Sequence, residues 1–209
     1  MSKYSTLLYR VYHWAAKIPP KISWSNKHAV TDDDRKQIAE KLASGYYVIL
    51  TGNKSHLSSV IVSLLSWIKT GKWAKYSHAL MNCDNITDPA QHGGFKFVEA
   101  DVKGVVYTTF DEVFTCDYVC LLSPSNIENG EWTKIIDALI NQIGKPYDDL
   151  FDLADSTRVS CVEVVLNALE ASNNDKELIH LKLKIAIEGN LIPQMYRDCV
   201  DFGVVYEKI

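Results

Sequence analysis

The stretch R-V-S-C-V-E-V-V-L-N-A-L, residues 158–169, decides how the chain is read. Ser160 is a good helix N-cap, and Glu163 follows three residues later, so S-C-V-E has the form of a capping box. That places Cys161 at the first helical position. Its sulfur would lie near backbone N–H groups that have no intrahelical acceptor, at the positive end of the helix dipole. Both favour the thiolate, the nucleophilic form of the side chain. A free cysteine at such a position is more often a small buried hydrophobe. A nucleophile also needs a base, and the search for one leads upstream.

The segments before this helix have strand character. Tyr46–Leu50 (YYVIL), Ser77–Asn82 (SHALMN) and Tyr118–Leu122 (YVCLL) are short β-branched or aromatic runs. FKFVEADV and VVYTTF flank Lys103-Gly104 as a hairpin would, and FGVVYEK closes the chain as a strand. Thr51 to Lys54 (TGNK) reads as a turn, and the stretch from Asp84 to Gly94 has loop composition. Helical spacing covers residues 6–18, ended by Pro19-Pro20, and a helix capped by Thr31 runs to about Ser44. Further helices are expected over Ser55–Lys69, with Val60, Leu64, Trp67 and Ile68 on a common side, over Glu131–Ile143 and over residues 175–189. Pro193 introduces a turn or short helix. Strands gathered in the middle with helices around them predict an α+β fold with a mostly antiparallel sheet. The expected organisation is an N-terminal helical extension over 1–41 and one domain over 42–209.

Six histidines could supply the base. His13, His28, His56, His92 and His180 are accounted for as surface or boundary residues. His78 differs, because it begins a strand among core-facing residues, where both ring nitrogens need partners. Glu99 stands within the apolar run F-V-E-A, where an acid is costly unless paired. If these two strands are antiparallel neighbours, Cys161, His78 and Glu99 form a set of nucleophile, base and orienting acid. Asp101, on the same face of an extended strand, is the alternative orienter.

The 209 residues carry a net charge of −4, with 47% hydrophobic and 23% charged residues, so no nucleic-acid partner is expected. The five cysteines form no regular framework, which favours a reducing compartment. With no apolar run long enough to span a bilayer and no recognisable secretory signal, the expected location is the cytoplasm. The basic amphipathic segment 6–18 is an arm that packs on the domain, a partner helix, or a peripheral membrane contact. Asp32, Asp33 and Asp34 are read as complements to a helix dipole and not as a metal site. Cys116 and Cys120 fit no zinc pattern, and neither cofactor nor metal is expected.

The ordered series G-Y-Y-V-I-L-T-G, W-A-K-Y-S-H-A-L-M, F-V-E-A, G-K-P-Y-D and S-C-V-E-V-V resembles the permuted NlpC/P60 papain-like family, in particular its YiiX/YebB-like group, which is also similar to lecithin:retinol acyltransferase. The likeness runs over residues 42–206. In that family the cysteine helix follows the sheet, so histidine precedes cysteine, as it does here. The resemblance implies a circularly permuted papain-like fold, with Cys161 as nucleophile, His78 as base, Glu99 as orienter and Tyr147 near the oxyanion. It implies a thiol hydrolase acting on an amide, cell-wall peptides included. A lipid acyl-hydrolase or acyltransferase, and a non-catalytic binding module, are the alternatives. The chain departs from the family at Gly45-Tyr46, where an aspartate often follows the glycine, at Val162, where a serine is common, and in the longer loop between His78 and Glu99.

Overall fold

Every strand among the described residues is paired antiparallel, and the pairing register decides what each side chain can touch. The computed structural model describes residues 29–54, 57–84, 94–125, 127–128, 130–148, 155–172, 181 and 193–209. The expected helix over 6–18 lies outside these residues, as do residues 85–93 and all but Leu181 of the helix expected over 175–189. The described elements run α1 (Asp32–Leu42), β1 (Val48–Gly52), α2 (Leu57–Thr70), β2 (His78–Asn82), β3 (Lys96–Asp101), β4 (Gly104–Thr109) and α3 (Phe110–Val113). After them come β5 (Tyr118–Pro124), α4 (Trp132–Ile140), α5 (Cys161–Leu169), α6 (Pro193–Arg197) and β6 (Phe202–Lys208). The six strands form one sheet in the order β4-β3-β2-β1-β5-β6.

Alternation along the strands separates two apolar layers. On one face Val48, Leu50, Ala79, Met81 and Val98 meet Ile135 and Leu139 of α4 and Val165 and Leu169 of α5. On the other, Ile49, Leu80, Phe97 and Leu121 meet Ile38 and Leu42 of α1 and Phe110 of α3. Burying each such side chain contributes about 1.5–3 kcal/mol. These layers place α5 against β2 and β3, the strands that carry His78 and Glu99.

The structure departs from the local sequence signals in several places. Thr51 and Gly52 belong to β1 and not to a turn, because β1 is central: Thr51 pairs with His78 and Val119, and Gly52 pairs with Tyr118. Two ladders override a weak strand former. The helix α3 has a signal in Thr109 and Glu112, which form a capping box. Ile38, Ala39 and Leu42 of α1 are buried in the second apolar layer.

Asp34 closes a capping box with Thr31. It also accepts from the Tyr206 hydroxyl at 2.7 Å and pairs with Lys208 at 3.1 Å, so it ties α1 to the last strand. Burial opposes its charge, and these bonds outweigh burial, holding its carboxyl well below the usual carboxylate range.

Candidate active site

Cys161 is the first residue of α5, as the capping box requires. Ser160 Oγ accepts from the Glu163 N–H at 3.4 Å, and Glu163 Oε2 accepts from the Ser160 N–H at 2.8 Å. Helix geometry leaves the N–H groups of the first turn without intrahelical acceptors, and the cap takes only that of Glu163. The Cys161 side chain is 3% exposed.

Three contacts fix α5. The buried Tyr196 hydroxyl donates to the Val162 carbonyl at 2.7 Å. Gln142 Nε2 donates to the Val164 carbonyl at 2.9 Å. Upstream, Tyr147 and Val159 form a short parallel bridge, with Val159 N–H donating to the Pro146 carbonyl at 3.1 Å. That segment hangs on β4, since the Val105 N–H donates to Lys145 O at 2.9 Å. The approach is close. A Cβ on Gly104, which has φ +110°, would stand 2.5 Å from Lys145 O.

His78 is the first residue of β2, and β3 lies beside it. Leu80 is opposite Glu99, so Glu99 is a diagonal neighbour of His78 on the same face. Glu99 Oε2 lies 2.5 Å from His78 Nε2. Cys161 stands near enough to the His78 ring to support its charge. With Nε2 held by the carboxylate, Nδ1 is the nitrogen left for the thiol. Burial opposes a charged ring, but the Cys161 and Glu99 hydrogen bonds overcome it and hold His78 well above the ordinary histidine range. Burial likewise works to raise Glu99. The His78 bond, helped by one from Thr108, keeps its carboxyl below the ordinary value.

The structure therefore brings Cys161, His78 and Glu99 together. Asp101 does not reach the imidazole, because it is engaged in the hairpin turn, where its Oδ1 accepts from the Lys103 N–H at 2.7 Å. Tyr147 is half-buried against the apolar layer that contains Cys161, on the segment bridged to Val159 two residues before it.

Sequence reasoning missed three residues around this set. Thr108, buried on β4, holds its hydroxyl between Glu99 and Glu112, 3.1 Å from Glu112 Oε2; its place beside Glu99 emerges only once β3 and β4 are in register. Tyr196 braces α5 from a stretch with no periodic signal. Asn53 is the third. A cavity of about 310 Å³ opens beside His78 and Glu99 and is lined in part by Asn53, Ser59, Ser77 and Thr108. Asn53 Oδ1 is a buried acceptor with no partner among the described residues, a costly arrangement unless a donor arrives.

Among the described residues no helix is long and apolar enough to cross a membrane. No family model matches the chain, and no curated protein sequence matches it. Among solved structures, the metalloprotein yiiX from Escherichia coli O157:H7 is similar in fold, with a TM-score of 0.54 and 19% identity over 78% of this chain and 96% of that one. At that identity the likeness is one of architecture alone: the chain has a yiiX-like α+β fold, a six-stranded antiparallel sheet flanked by helices.

Proposed function

We propose that this chain is a cysteine-dependent hydrolase of permuted NlpC/P60 papain-like type, acting on an amide bond through a thioacyl-enzyme. The observation that carries the reading is a thiol at a helix N-terminus within reach of an imidazole whose other nitrogen is held by a carboxylate. The chain order, histidine before cysteine, is that of the permuted family.

In this reading Cys161 and His78 rest as a thiolate–imidazolium pair, His78 having taken the thiol proton on Nδ1, and the sulfur attacks the carbonyl carbon. The developing oxyanion accepts from the Cys161 N–H, and Tyr147 stands as the family's second donor. The C–N bond breaks, and the imidazolium returns the proton to the leaving amine. A water molecule, deprotonated by His78, then attacks the thioester, and acid and thiol are released. Glu99 keeps the ring oriented and supports its charge. The raised basicity of His78 favours that charged pair in the resting site.

The yiiX relative is titled a metalloprotein. Among the described residues here, no three His, Cys, Asp or Glu side chains are grouped to hold an ion. His78 Nε2 already faces the Glu99 carboxylate. This donor set does not fit a metal centre, and no step is routed through one.

The test is the alkylation rate of each cysteine against pH, read by peptide mass spectrometry, in the wild type and in His78→Ala, followed by a screen of amide and acyl-ester substrates. Fast reaction of Cys161 at mildly acidic pH, lost without His78, is the expected result. A Cys161 that behaves as an ordinary buried thiol in both proteins overturns the catalytic reading and leaves a binding module.

A further inference from the structure

The helix α2 buries Val62 but turns other large apolar side chains outward. Three of its serines face the body: Ser59 Oγ lies 2.7 Å from Ser77 Oγ, Ser63 Oγ donates to Ala74 O at 2.5 Å, and Ser66 Oγ donates to Lys72 O at 2.8 Å. No described α2 residue belongs to either apolar layer of the sheet. The expected common side carries Val60, Leu64 and Trp67, and these are 38%, 37% and 48% exposed. Gly71, at φ +71°, ends the helix and turns the chain back. Trp73, 60% exposed, then stacks on Trp67 with ring centroids 5.9 Å apart and planes at 20°. Leaving this much apolar and indole surface in water is unfavourable without an occupant.

The charge around the patch identifies the occupant. The chain as a whole is acidic, yet from Lys54 to Cys83 it contains no Asp or Glu and four lysines: Lys54, Lys69, Lys72 and Lys75. Lys72 and Lys75 are exposed on either side of Trp73. Paired indoles with an aliphatic stripe suit the headgroup boundary of a bilayer, and flanking lysines suit anionic lipid. From the exposed Val60–Leu64–Trp67–Trp73 face and the lysines of a stretch without Asp or Glu, we infer that α2 and the turn after it dock this protein on an anionic membrane surface. The same element contacts Ser77, next to His78, so docking places the cavity beside His78 close to the lipid.

The test is co-sedimentation of the full chain with vesicles of phosphatidylcholine alone and of phosphatidylcholine mixed with phosphatidylserine. Binding to the phosphatidylserine vesicles, weakened by salt, is expected. Trp67→Ala/Trp73→Ala should weaken it by about tenfold or more. Lys72→Glu/Lys75→Glu should remove the preference for phosphatidylserine. Circular dichroism and the Cys161 alkylation profile serve as fold controls and should stay as in the wild type. Cys161→Ala should bind as the wild type does, so failure of the catalytic reading leaves this one standing, and the reverse.

Four results overturn the proposal. One is wild-type protein that ignores phosphatidylserine vesicles. Another is binding indifferent to the tryptophan pair. A third is a concentration-dependent dimer that the tryptophan variant dissolves, which assigns the face to a second copy. The last is protection of Trp67 and Trp73 from hydroxyl-radical labelling in lipid-free protein, which assigns it to another part of the chain.

Discussion

Replacing Glu99 by Gln removes the charge beside His78 and keeps the side-chain volume. Glu99 Oε2 stands 2.5 Å from His78 Nε2, and the two side chains keep only 19% and 27% of their surface, so solvent screens the pair incompletely. A charge-assisted hydrogen bond of this kind contributes about 1.5–3 kcal/mol net. At about 1.4 kcal/mol per pH unit, its loss should move the His78 titration down by about one to two units. In the proposed hydrolase the imidazolium balances the Cys161 thiolate. Alkylation of Cys161 in mildly acidic solution is therefore expected to slow by about tenfold to a hundredfold in Glu99→Gln. The rate is read by peptide mass spectrometry across the pH range, and the His78 ring is titrated in parallel by NMR. Asp101→Asn, which alters the hairpin turn and not the imidazole, should leave both profiles in place. A Glu99→Gln protein with an unchanged Cys161 profile, or an Asp101→Asn protein that reproduces the expected loss, refutes the assignment.

Removing the cap should act on stability more than on chemistry alone: Ser160→Ala deletes the acceptor for the Glu163 N–H in a fully buried setting, and a loss of about 1–2 kcal/mol is expected from urea denaturation. A wild-type midpoint in that variant would mean the cap contributes nothing. The other thiols should be inert near neutral pH, since burial pushes Cys83 up to about 11 and both Cys116 and Cys120 up to about 12. In native protein, labelling of any of them faster than Cys161 contradicts the site. The His78–Glu99 pair also has a defined pH window. His78 is raised above its ordinary 6.5, so its contribution is complete below that pH and fades as pH rises through the folded value. Glu99 is lowered from 4.5, so its contribution is complete above that pH and fades as pH falls through the folded value. The stability gap between wild type and Glu99→Gln should be widest between those two values and narrow on either side, and a gap that is flat with pH would show the pair to be uncharged.

What the sequence determined by itself is local. The Ser160–Glu163 box, the turn at Lys103-Gly104 and the period-2 strands each rest on contacts within a few residues, so their residue types specify them directly. The order of His78 before Cys161 and the placement of the thiol at a helix start follow from such signals. The tertiary structure decided what depends on register and on neighbours. Glu99 and Asp101 share a face, and only the β2–β3 alignment, with Asp101 drawn into its turn, selects Glu99 as the partner of His78. Thr51 and Gly52 became strand because two ladders flank them. Tyr196 found the Val162 carbonyl across a separation that no local pattern encodes. The apolar side of α2 has the periodicity of a core helix, yet it faces out. Periodicity specifies that a helix has two sides, and the hydrogen bonds of Ser59, Ser63 and Ser66 to the segment that follows decide which of them is buried.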